Sequence, residues 1–254
     1  MSRHGIARRN LLGAAGFSAL SAAQPQAAIP TVPLGKHRVT RLIVGSNPIT
    51  GISHSTRRMS DLMSQYFTVE RTTDFLLSCE LRGINTFQSS YWPKVRDAIR
   101  GARERGSKLH FICLTSGRQL DVLDDVVALK PIAIVHHGGV TDSLFRAGKH
   151  GDVRDYLKHV HDLGLLAGMS THRPENLAHA EDAGFEADFY MACFYQVSRT
   201  PEEVARLTGG KVLDELYLAS DRDLMTSRVR EVKKTCLGFK ILAAGRLCNS
   251  PAMV

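Results

Sequence analysis

Residues 132–170 decide the fold, and they read IAIVHHGGVTDSLFRAGKHGDVRDYLKHVHDLGLLAGMS. Ile132–His136 is a short apolar run rich in β-branched residues, which predicts a buried strand. After a polar, Gly-containing stretch, Asp152–Leu163 has helical periodicity and stops at Gly164. Leu165–Ser170 then predicts the next strand. A strand, a helix and a strand with no hairpin turn between them indicate a parallel βαβ unit with a right-handed crossover.

The same alternation continues on both sides of this unit. Strands are predicted at Arg41–Gly45, Ile84–Gln88, Leu109–Leu114, Ile132–His136, Leu165–Ser170, Asp188–Phe194 and Cys236–Leu242. Helices are predicted at Val69–Arg82, Lys94–Arg105, Leu120–Leu129, Asp152–Leu163 and Pro174–Ala183, with further candidates at Pro201–Leu207 and Arg222–Lys233. No G-x-G-x-x-G motif follows a strand, which disfavours a dinucleotide-binding doubly wound sheet. Several strands end in polar residues, as in a barrel with its active site at the carboxyl ends.

We therefore predict an α/β fold, a (β/α)8 or TIM barrel, in a single domain over residues 29–254. Only seven strands are counted, whereas a closed barrel needs eight. A barrel without its last strand leaves two edges unpaired. We therefore expect the chain to be truncated after strand seven, without strand eight and its helix.

Composition excludes several classes of protein. The 254 residues are 43% hydrophobic and 23% charged, which is ordinary for a globular protein and excludes disorder. The net charge is +8, but its basic residues are scattered among acidic ones, and aromatic residues are only 7%. A nucleic-acid-binding protein would cluster its positive charge, so no nucleic-acid partner is predicted. After residue 28, no apolar run is long enough to span a membrane.

Residues 1–28 are predicted to be a targeting segment. Arg8 and Arg9 precede a weakly apolar run of Gly, Ala, Leu and Ser, and a Gln/Pro/Ala stretch ends at Ala28. This order is that of a signal peptide, and the paired arginines resemble a twin-arginine (Tat) signal. The expectation is export to the periplasm or the extracellular space through the Tat machinery. The five cysteines include no C-x-x-C pair, so neither a disulfide scaffold nor a structural zinc site is predicted.

Four segments carry a resemblance to a known family: Leu34–Ile49, Gly83–Phe87, Ile134–His137 and Gly168–Thr171. They resemble the aldo/keto reductases, which are (β/α)8 barrels with a Tyr, Asp, Lys and His site for hydride transfer. His136 or His137 is similar to the family His, and Tyr91 lies near the family Tyr. Gln88 stands where the Asp is expected, and Cys113-Leu114 where the Lys is expected, so the resemblance implies a site that departs from the family.

The resemblance also implies that Ser170 and Thr171 hold the nicotinamide amide of an NAD(P) cofactor. The chain is similar, in addition, to a group of exported barrels with three short motifs. These are G-x-N-P-I at residues 45–49, H-G-G-V at residues 137–140 and K-I-L-A-A-G at residues 240–245. No reaction is attached to that group.

Lys240 is the first candidate catalytic residue. It lies inside the otherwise apolar run Leu237–Leu242, and burying its ammonium against outer helices would be costly. We expect it to face the barrel interior near the end of its strand. Burial lowers the pKa of a lysine, which would make Lys240 a nucleophile or base. The alternative is a cation that pairs with a carboxylate or holds an anionic substrate.

Three histidines form the second group of candidate catalytic residues. His136 and His137 alternate along one strand, so only one can face inward. His172 follows the next strand, which places it near the same mouth. Imidazoles there suit general acid–base chemistry, and His137 with His172 leaves a divalent metal open as an alternative. No metal-binding motif supports the metal further.

Other polar residues are candidates for substrate binding. Asn47 and Gln88 follow the first two strands, and Asp142 is placed to orient a histidine or to pair with Lys240. The remaining candidates are Arg173, Gly245 and Arg246, the last two in the loop where barrels commonly bind phosphate.

The sequence thus predicts an exported barrel enzyme that acts on a small polar carbonyl compound, of which a sugar is one example. The predicted reaction is isomerase- or lyase-like, with proton transfer or carbonyl activation by Lys240 and a histidine. The alternatives are a divergent NAD(P)-linked oxidoreductase and a barrel that only binds a ligand or is inactive. NAD(P) and a divalent metal both remain open as cofactors.

Overall fold

The computed structural model describes residues 28–116, 122–210, 212 and 214–249. The predicted targeting segment lies outside these residues, apart from Ala28, and stays a prediction. No helix within the described ranges is both long and apolar enough to cross a bilayer.

Eight strands and ten α-helices are described. The strands are β1 (Thr31–Leu34), β2 (His37–Thr40), β3 (Thr86–Ser90), β4 (His110–Thr115), β5 (Ala133–His136), β6 (Leu166–Thr171), β7 (Phe189–Cys193) and β8 (Thr235–Phe239). The helices are α1 (Asn47–Thr50), α2 (Arg57–Tyr66), α3 (Val69–Leu81), α4 (Pro93–Glu104), α5 (Leu123–Ala128), α6 (Gly138–Arg146), α7 (His150–Asp162), α8 (Pro174–Asp182), α9 (Pro201–Thr208) and α10 (Ala219–Glu231).

The last six strands form one parallel sheet in the order β3-β4-β5-β6-β7-β8. A strictly sequential order is that of a (β/α)8 barrel, because a doubly wound sheet reverses direction at a switch point. The predicted α/β class with a parallel, barrel-type sheet is therefore confirmed. The expectation of a further strand beyond Val254 stays a prediction.

The prediction of a first strand at Arg41–Gly45 is wrong. The structure keeps one parallel bridge there, between Val44 and Phe87. The Val44 N–H donates to the Thr86 carbonyl at 3.0 Å, and the Gln88 N–H donates to the Val44 carbonyl at 2.8 Å. Beyond it the chain turns into α1, whose first turn contains Pro48. Because the nitrogen of a proline carries no hydrogen, Pro48 fits the first turn of a helix and does not fit the hydrogen-bond ladder of a strand.

Five elements were not predicted, namely helices α1, α2 and α6 and the two strands of a hairpin. The antiparallel hairpin of β1 and β2 precedes the sheet and turns at Gly35-Lys36, where Gly35 has φ +54. Helix α6 begins directly after β5, in a stretch that the sequence analysis left without structure. The hairpin strands have only four residues each, which is too short for a clear alternation, and the Gly138-Gly139 pair conceals the start of α6.

The sheet has two differently covered faces. Its concave face packs with the hairpin in one cluster that includes Leu34, Val39, Ile112, Val135 and Phe189. The opposite face packs against the helices in a larger cluster with Phe87, Phe111, Ile134, Met169 and Tyr190. The hairpin covers the amino-terminal end of the concave face, so the carboxyl ends of the strands are left for a site.

Gly168 lies where the concave face is most crowded. A Cβ atom added there would lie 2.7 Å from Cζ of Phe189 and 2.9 Å from Cγ2 of Val135. We expect Gly168→Ala to lower the free energy of unfolding by about 1–3 kcal/mol, because a packed core must shift to admit the methyl group. Gly151→Ala, in α7 with open space around it, is the matched control. It should be neutral or stabilising, and urea unfolding of both variants checks the difference.

Candidate active site

The candidate site lies at the carboxyl ends of β5 and β6. Because side chains alternate along a strand, Val135 and His137 share the concave face, while His136 faces the helices. His137 is the N-cap of α6 and reaches solvent at the mouth. As predicted, only one of the two neighbouring histidines faces inward.

Gly138 allows two side chains of β6 and its loop to approach α6 closely. A Cβ atom added at Gly138 would lie 2.9 Å from Oγ of Ser170 and 3.1 Å from Cε1 of His172. Any other residue would therefore push one of these groups away. Ser170 is buried, and its Oγ has no hydrogen-bond partner among the described residues.

Asp142 and His172 form a buried carboxylate–imidazole pair. The Asp142 carboxylate lies 2.7 Å from Nδ1 of His172 and also accepts the backbone N–H of His172 at 3.2 Å. Its second oxygen accepts from Nδ2 of Asn176 at 3.0 Å and from the Thr171 hydroxyl. Asp142 is 1% exposed, so these donors replace water around its charge. The prediction that Asp142 orients a histidine fits this geometry.

The hydrogen bonds decide the charge of Asp142. Burial alone would raise the pKa of this carboxyl, but the hydrogen bond and charge of His172, with the Thr171 hydroxyl, lower the pKa below its usual value. A carboxylate on Nδ1 favours the tautomer with the proton on that nitrogen. The structure gives Nε2 of His172 no hydrogen bond to a described residue, so this nitrogen is open to a reactant.

Two more groups stand beside this pair. The surrounding protein removes part of the hydration of the His137 imidazole, which lowers its pKa. The positive charges of His172 and Lys240 lower this pKa further. Burial raises the pKa of Cys193, on the concave face of β7, to about 12, and the Lys240 ammonium opposes this shift. Nζ of Lys240 lies 5.5 Å from the centroid of the Phe239 ring, and that ring lies 5.7 Å from the ring of His172, so Lys240 is at the same mouth. It lies just past β8, which ends at Phe239, and has a left-handed backbone with φ +55.

His136 lies away from the mouth. Its Nδ1 is 2.7 Å from the Thr141 hydroxyl, and its ring makes an edge contact with Tyr156 of α7, with centroids 4.9 Å apart. The side chain is thus enclosed between the sheet and the helices. Its earlier interpretation as a candidate catalytic residue is corrected, because a reactant at the mouth cannot contact it.

Thr171 and Arg173 are occupied by protein partners. Thr171 faces the helices and donates to Asp142, so it supports the pair from behind. The Arg173 guanidinium bridges Glu203 at 2.5 Å and Glu175 at 3.1 Å, which ties the loop after β6 to α9. Arg173 therefore has a structural role in place of the predicted substrate contact.

A second histidine–carboxylate pair closes the rim of the mouth. Nδ1 of His54 lies 3.0 Å from the Glu215 carboxylate, Nε2 of His54 lies 2.9 Å from Nδ2 of Asn47, and the Tyr217 hydroxyl donates to Glu215 at 2.5 Å. Despite the burial of Glu215, which would raise its pKa, these bonds lower it to about 2, with a smaller contribution from Lys240. Asn47 is thus committed to His54. His54 and Glu215 are 161 residues apart, and no sequence signal joins them.

The remaining candidate binding residues differ in how they are held. The guanidinium of Arg246 pairs with Asp214, donates to the His54 carbonyl at 3.1 Å and stacks 4.3 Å from the Tyr217 ring. It therefore fastens the rim, and the predicted phosphate site with Gly245 is occupied by protein contacts on this side. Gln88 is the middle residue of β3 and is half-buried, so it lies before the carboxyl end where it was predicted, and no described residue hydrogen-bonds its side chain.

Neither cofactor left open by the sequence fits the described residues well. Nowhere in the described ranges do three His, Cys, Asp or Glu side chains converge as metal ligands. His137 and His172 thus have no third ligand, and Asp142 already holds Nδ1 of His172. Ser170 and Thr171 point to opposite faces of β6, and the Thr171 hydroxyl is committed to Asp142. The two residues therefore cannot hold one nicotinamide amide together.

Comparisons with known proteins gave matches among solved structures. No family model matches the chain, and no curated protein matches its sequence. Among solved structures, the chain is similar to the aldo-keto reductase AKR11C1 from Bacillus halodurans in its holo form. The identity is 14% and the TM-score is 0.45, over 87% of this chain and 91% of the other.

Proposed function

We propose that this protein is an enzyme that moves a proton on a small polar carbonyl compound, with isomerase- or lyase-like chemistry. The observation that carries the proposal is the buried Asp142 carboxylate 2.7 Å from Nδ1 of His172, at the carboxyl end of a parallel sheet. A carboxylate in that position orients an imidazole and stabilises its protonated form without taking the proton.

His172 is the general base and acid of the proposed reaction. Nε2 takes a proton from the carbon next to the carbonyl, and the electron pair of that C–H bond moves through the carbon framework to the carbonyl oxygen. The protonated imidazole is paired with Asp142. In the isomerase version, the hydroxyl proton of the enediolate moves to the oxyanion, the imidazole returns its proton to the former carbonyl carbon, and the other oxygen becomes the new carbonyl. In the lyase version, the carbonyl forms again as the C–O bond on the next carbon breaks, and the imidazole proton goes to the leaving oxygen. General acid–base catalysis of this kind needs a group that can both accept a proton and return it, as the imidazole of a histidine can.

Lys240 supplies positive charge for the oxygen that becomes negative. The structure gives its ammonium no ion pair with a described residue, although its charge acts on His137, Cys193 and Glu215. A fixed cation near a developing oxyanion lowers the barrier most where water is excluded. Ser170 Oγ, buried and without a partner, is a further donor on the same concave face.

The test uses carbon-bound hydrogen exchange in D2O. Hydroxyacetone, dihydroxyacetone and glyceraldehyde are the probes, and proton NMR follows the loss of the signal next to the carbonyl. We expect the wild type to accelerate exchange on at least one probe and His172→Gln to lose about a hundredfold or more of this rate. His159→Gln, on the exposed side of α7, is the matched control and should retain the rate.

Other outcomes would contradict the proposal. Equal rates in the wild type and His172→Gln would remove His172 from the chemistry. Quenching of NADPH fluorescence by the protein, with no exchange on the probes, would favour the oxidoreductase alternative. Reduction with borohydride in the presence of a probe, followed by mass spectrometry, checks the separate idea of Lys240 as a nucleophile, because an imine on its amine would be trapped as a stable adduct.

We also propose that the protein is exported. Arg8 and Arg9 before a weakly apolar run support the Tat pathway, which carries folded proteins. Three of the five cysteines (Cys79, Cys113 and Cys193) are buried, and all five are free. A fold that forms before export does not depend on disulfide formation outside the cell, which agrees with these free thiols.

A further inference from the structure

A polar groove lies at the opposite end of the sheet from the candidate active site. It has a volume of about 420 Å³ and opens between the turn of the β1–β2 hairpin, the loop before β5 and the end of α7. We call it the basal groove, and Lys36, His37, Lys130, His161, Leu166 and Asp188 are among the residues that line it. Its volume is within the range of sites for small molecules and much larger than a single phosphate needs.

The charge of the basal groove is net positive, with two lysines and one carboxylate among its lining residues. Lys36 comes from the hairpin turn and Lys130 from the loop before β5, and neither makes an ion pair with any residue that the structure describes. The carboxylate of Asp188 is already used, because it accepts from the Ala167 N–H at 2.7 Å and from Nε2 of His161 at 2.9 Å. An anion would therefore find two lysines, while the negative charge of Asp188 is partly offset by the two donors that it accepts from.

The imidazole of His37 is uncharged in the basal groove at neutral pH. Burial lowers its pKa, and the neighbouring His110 and Lys36 lower it further. The rings of His37 and His110 have centroids 5.3 Å apart. The positive charge of the groove therefore comes from its two lysines, and a neutral imidazole can still donate a hydrogen bond to a bound anion.

The backbone of Lys130 is strained. Lys130 has φ +46, a left-handed conformation that is unfavourable for a residue with a Cβ atom, and Pro131 follows it. Its N–H donates to the Val127 carbonyl at 2.8 Å, which fixes this turn at the end of α5. A glycine would adopt the same turn without strain, so the position can be tested without disturbing the fold.

The floor of the basal groove is apolar. Ile132, Leu165 and Leu166 line it, and Leu166 also lies beneath the hairpin at Gly35. A ligand that fits must therefore combine a negative group for the lysines with an uncharged part for these side chains. We infer that the basal groove binds a small phosphorylated metabolite of nucleotide size. Its phosphates would lie between Lys36 and Lys130, and its uncharged part would lie on the apolar floor. This inference is independent of the proposed function.

Isothermal titration calorimetry of the full-length protein at low ionic strength tests the inference, with ADP, adenosine and inorganic phosphate as probes. We expect ADP to bind more tightly than either of the other two. The double variant Lys36→Gln, Lys130→Gly should weaken ADP binding by about tenfold or more. Lys158→Met, which removes an exposed lysine from α7, is the matched control and should bind ADP as the wild type does.

Three results would overturn the inference. They are no binding of ADP to the wild type, unchanged binding in the double variant, and equal affinity for ADP and inorganic phosphate, since the last would leave no role for the apolar floor. His172→Gln should bind ADP with the wild-type affinity. Loss of ADP binding in that variant would place the ligand at the mouth of the sheet, and this would also contradict the inference.

Discussion

Asp142→Asn is expected to slow the proposed proton transfer by about a thousandfold, because the amide changes the proton position on His172. The wild-type carboxylate accepts the Nδ1 hydrogen of His172 at 2.7 Å. An asparagine can present its own NH2 group to Nδ1, and the imidazole proton then moves to Nε2. With a proton already on Nε2, His172 cannot accept one from the substrate.

The same substitution should also destabilise the fold by roughly 1–3 kcal/mol. Asp142 is buried and accepts from four donors: the His172 ring, the His172 backbone, Thr171 and Asn176. An amide keeps one acceptor oxygen and introduces two hydrogens where acceptors were needed. Because the pKa of Asp142 is lowered in the folded state, its contribution to stability is present above its unfolded value, near 4, and is lost as the pH falls through the folded value.

Two measurements separate the chemical effect from a general loss of structure. Nitrogen-15 NMR of the histidine rings should show the His172 proton on Nδ1 in the wild type and on Nε2 in Asp142→Asn. Urea unfolding gives the stability, with Asp155→Asn on the exposed side of α7 as the matched control. A variant with the wild-type tautomer and rate would remove Asp142 from its proposed role and leave it as a buried structural anion.

The central strands of the sheet could be predicted from the sequence because they are short, apolar runs, and β5 and β7 are buried at every residue. The run Leu109–Leu114 differs from the observed β4, His110–Thr115, by one residue at each end. The β1–β2 hairpin has no such signal. Its Leu34 and Val39 are separated by a polar turn, and only contact with the concave face shows that they belong to the core.

The candidate site was predictable to the extent that strand ends determine it. His137, His172 and Lys240 follow three strands of one parallel sheet, so their meeting at one mouth follows from topology. The pairing of Asp142 with His172 depends on α6 beginning directly after β5, which the Gly138-Gly139 pair concealed. His54 and Glu215 could not be predicted as partners, because they lie in loops whose positions depend on the whole fold.

His136 is expected to make the protein less stable as the pH is lowered from 6.5 to about 4. It is 1% exposed, and burial, with a smaller effect of His137, lowers its pKa from 6.5 to about 4. The folded state therefore keeps His136 neutral where the unfolded chain takes up a proton. The stabilising effect is complete above pH 6.5 and is lost as the pH falls towards 4, with a total of about 3 kcal/mol.

His136→Phe should remove most of this pH dependence. Phenylalanine retains a ring against Tyr156, and Thr141 keeps a partner because its hydroxyl also donates to the His137 carbonyl at 3.2 Å. Urea unfolding from pH 7.5 to 4.5 should give a flatter profile for this variant, whereas His159→Gln, at an exposed position, should follow the wild type. Asp142 loses its contribution mainly below the unfolded carboxyl value near 4, so the two groups act in separate pH ranges. An unchanged slope in His136→Phe would mean that the acid sensitivity originates at other histidines, and that the space between β5 and α7 admits water to a charged imidazole.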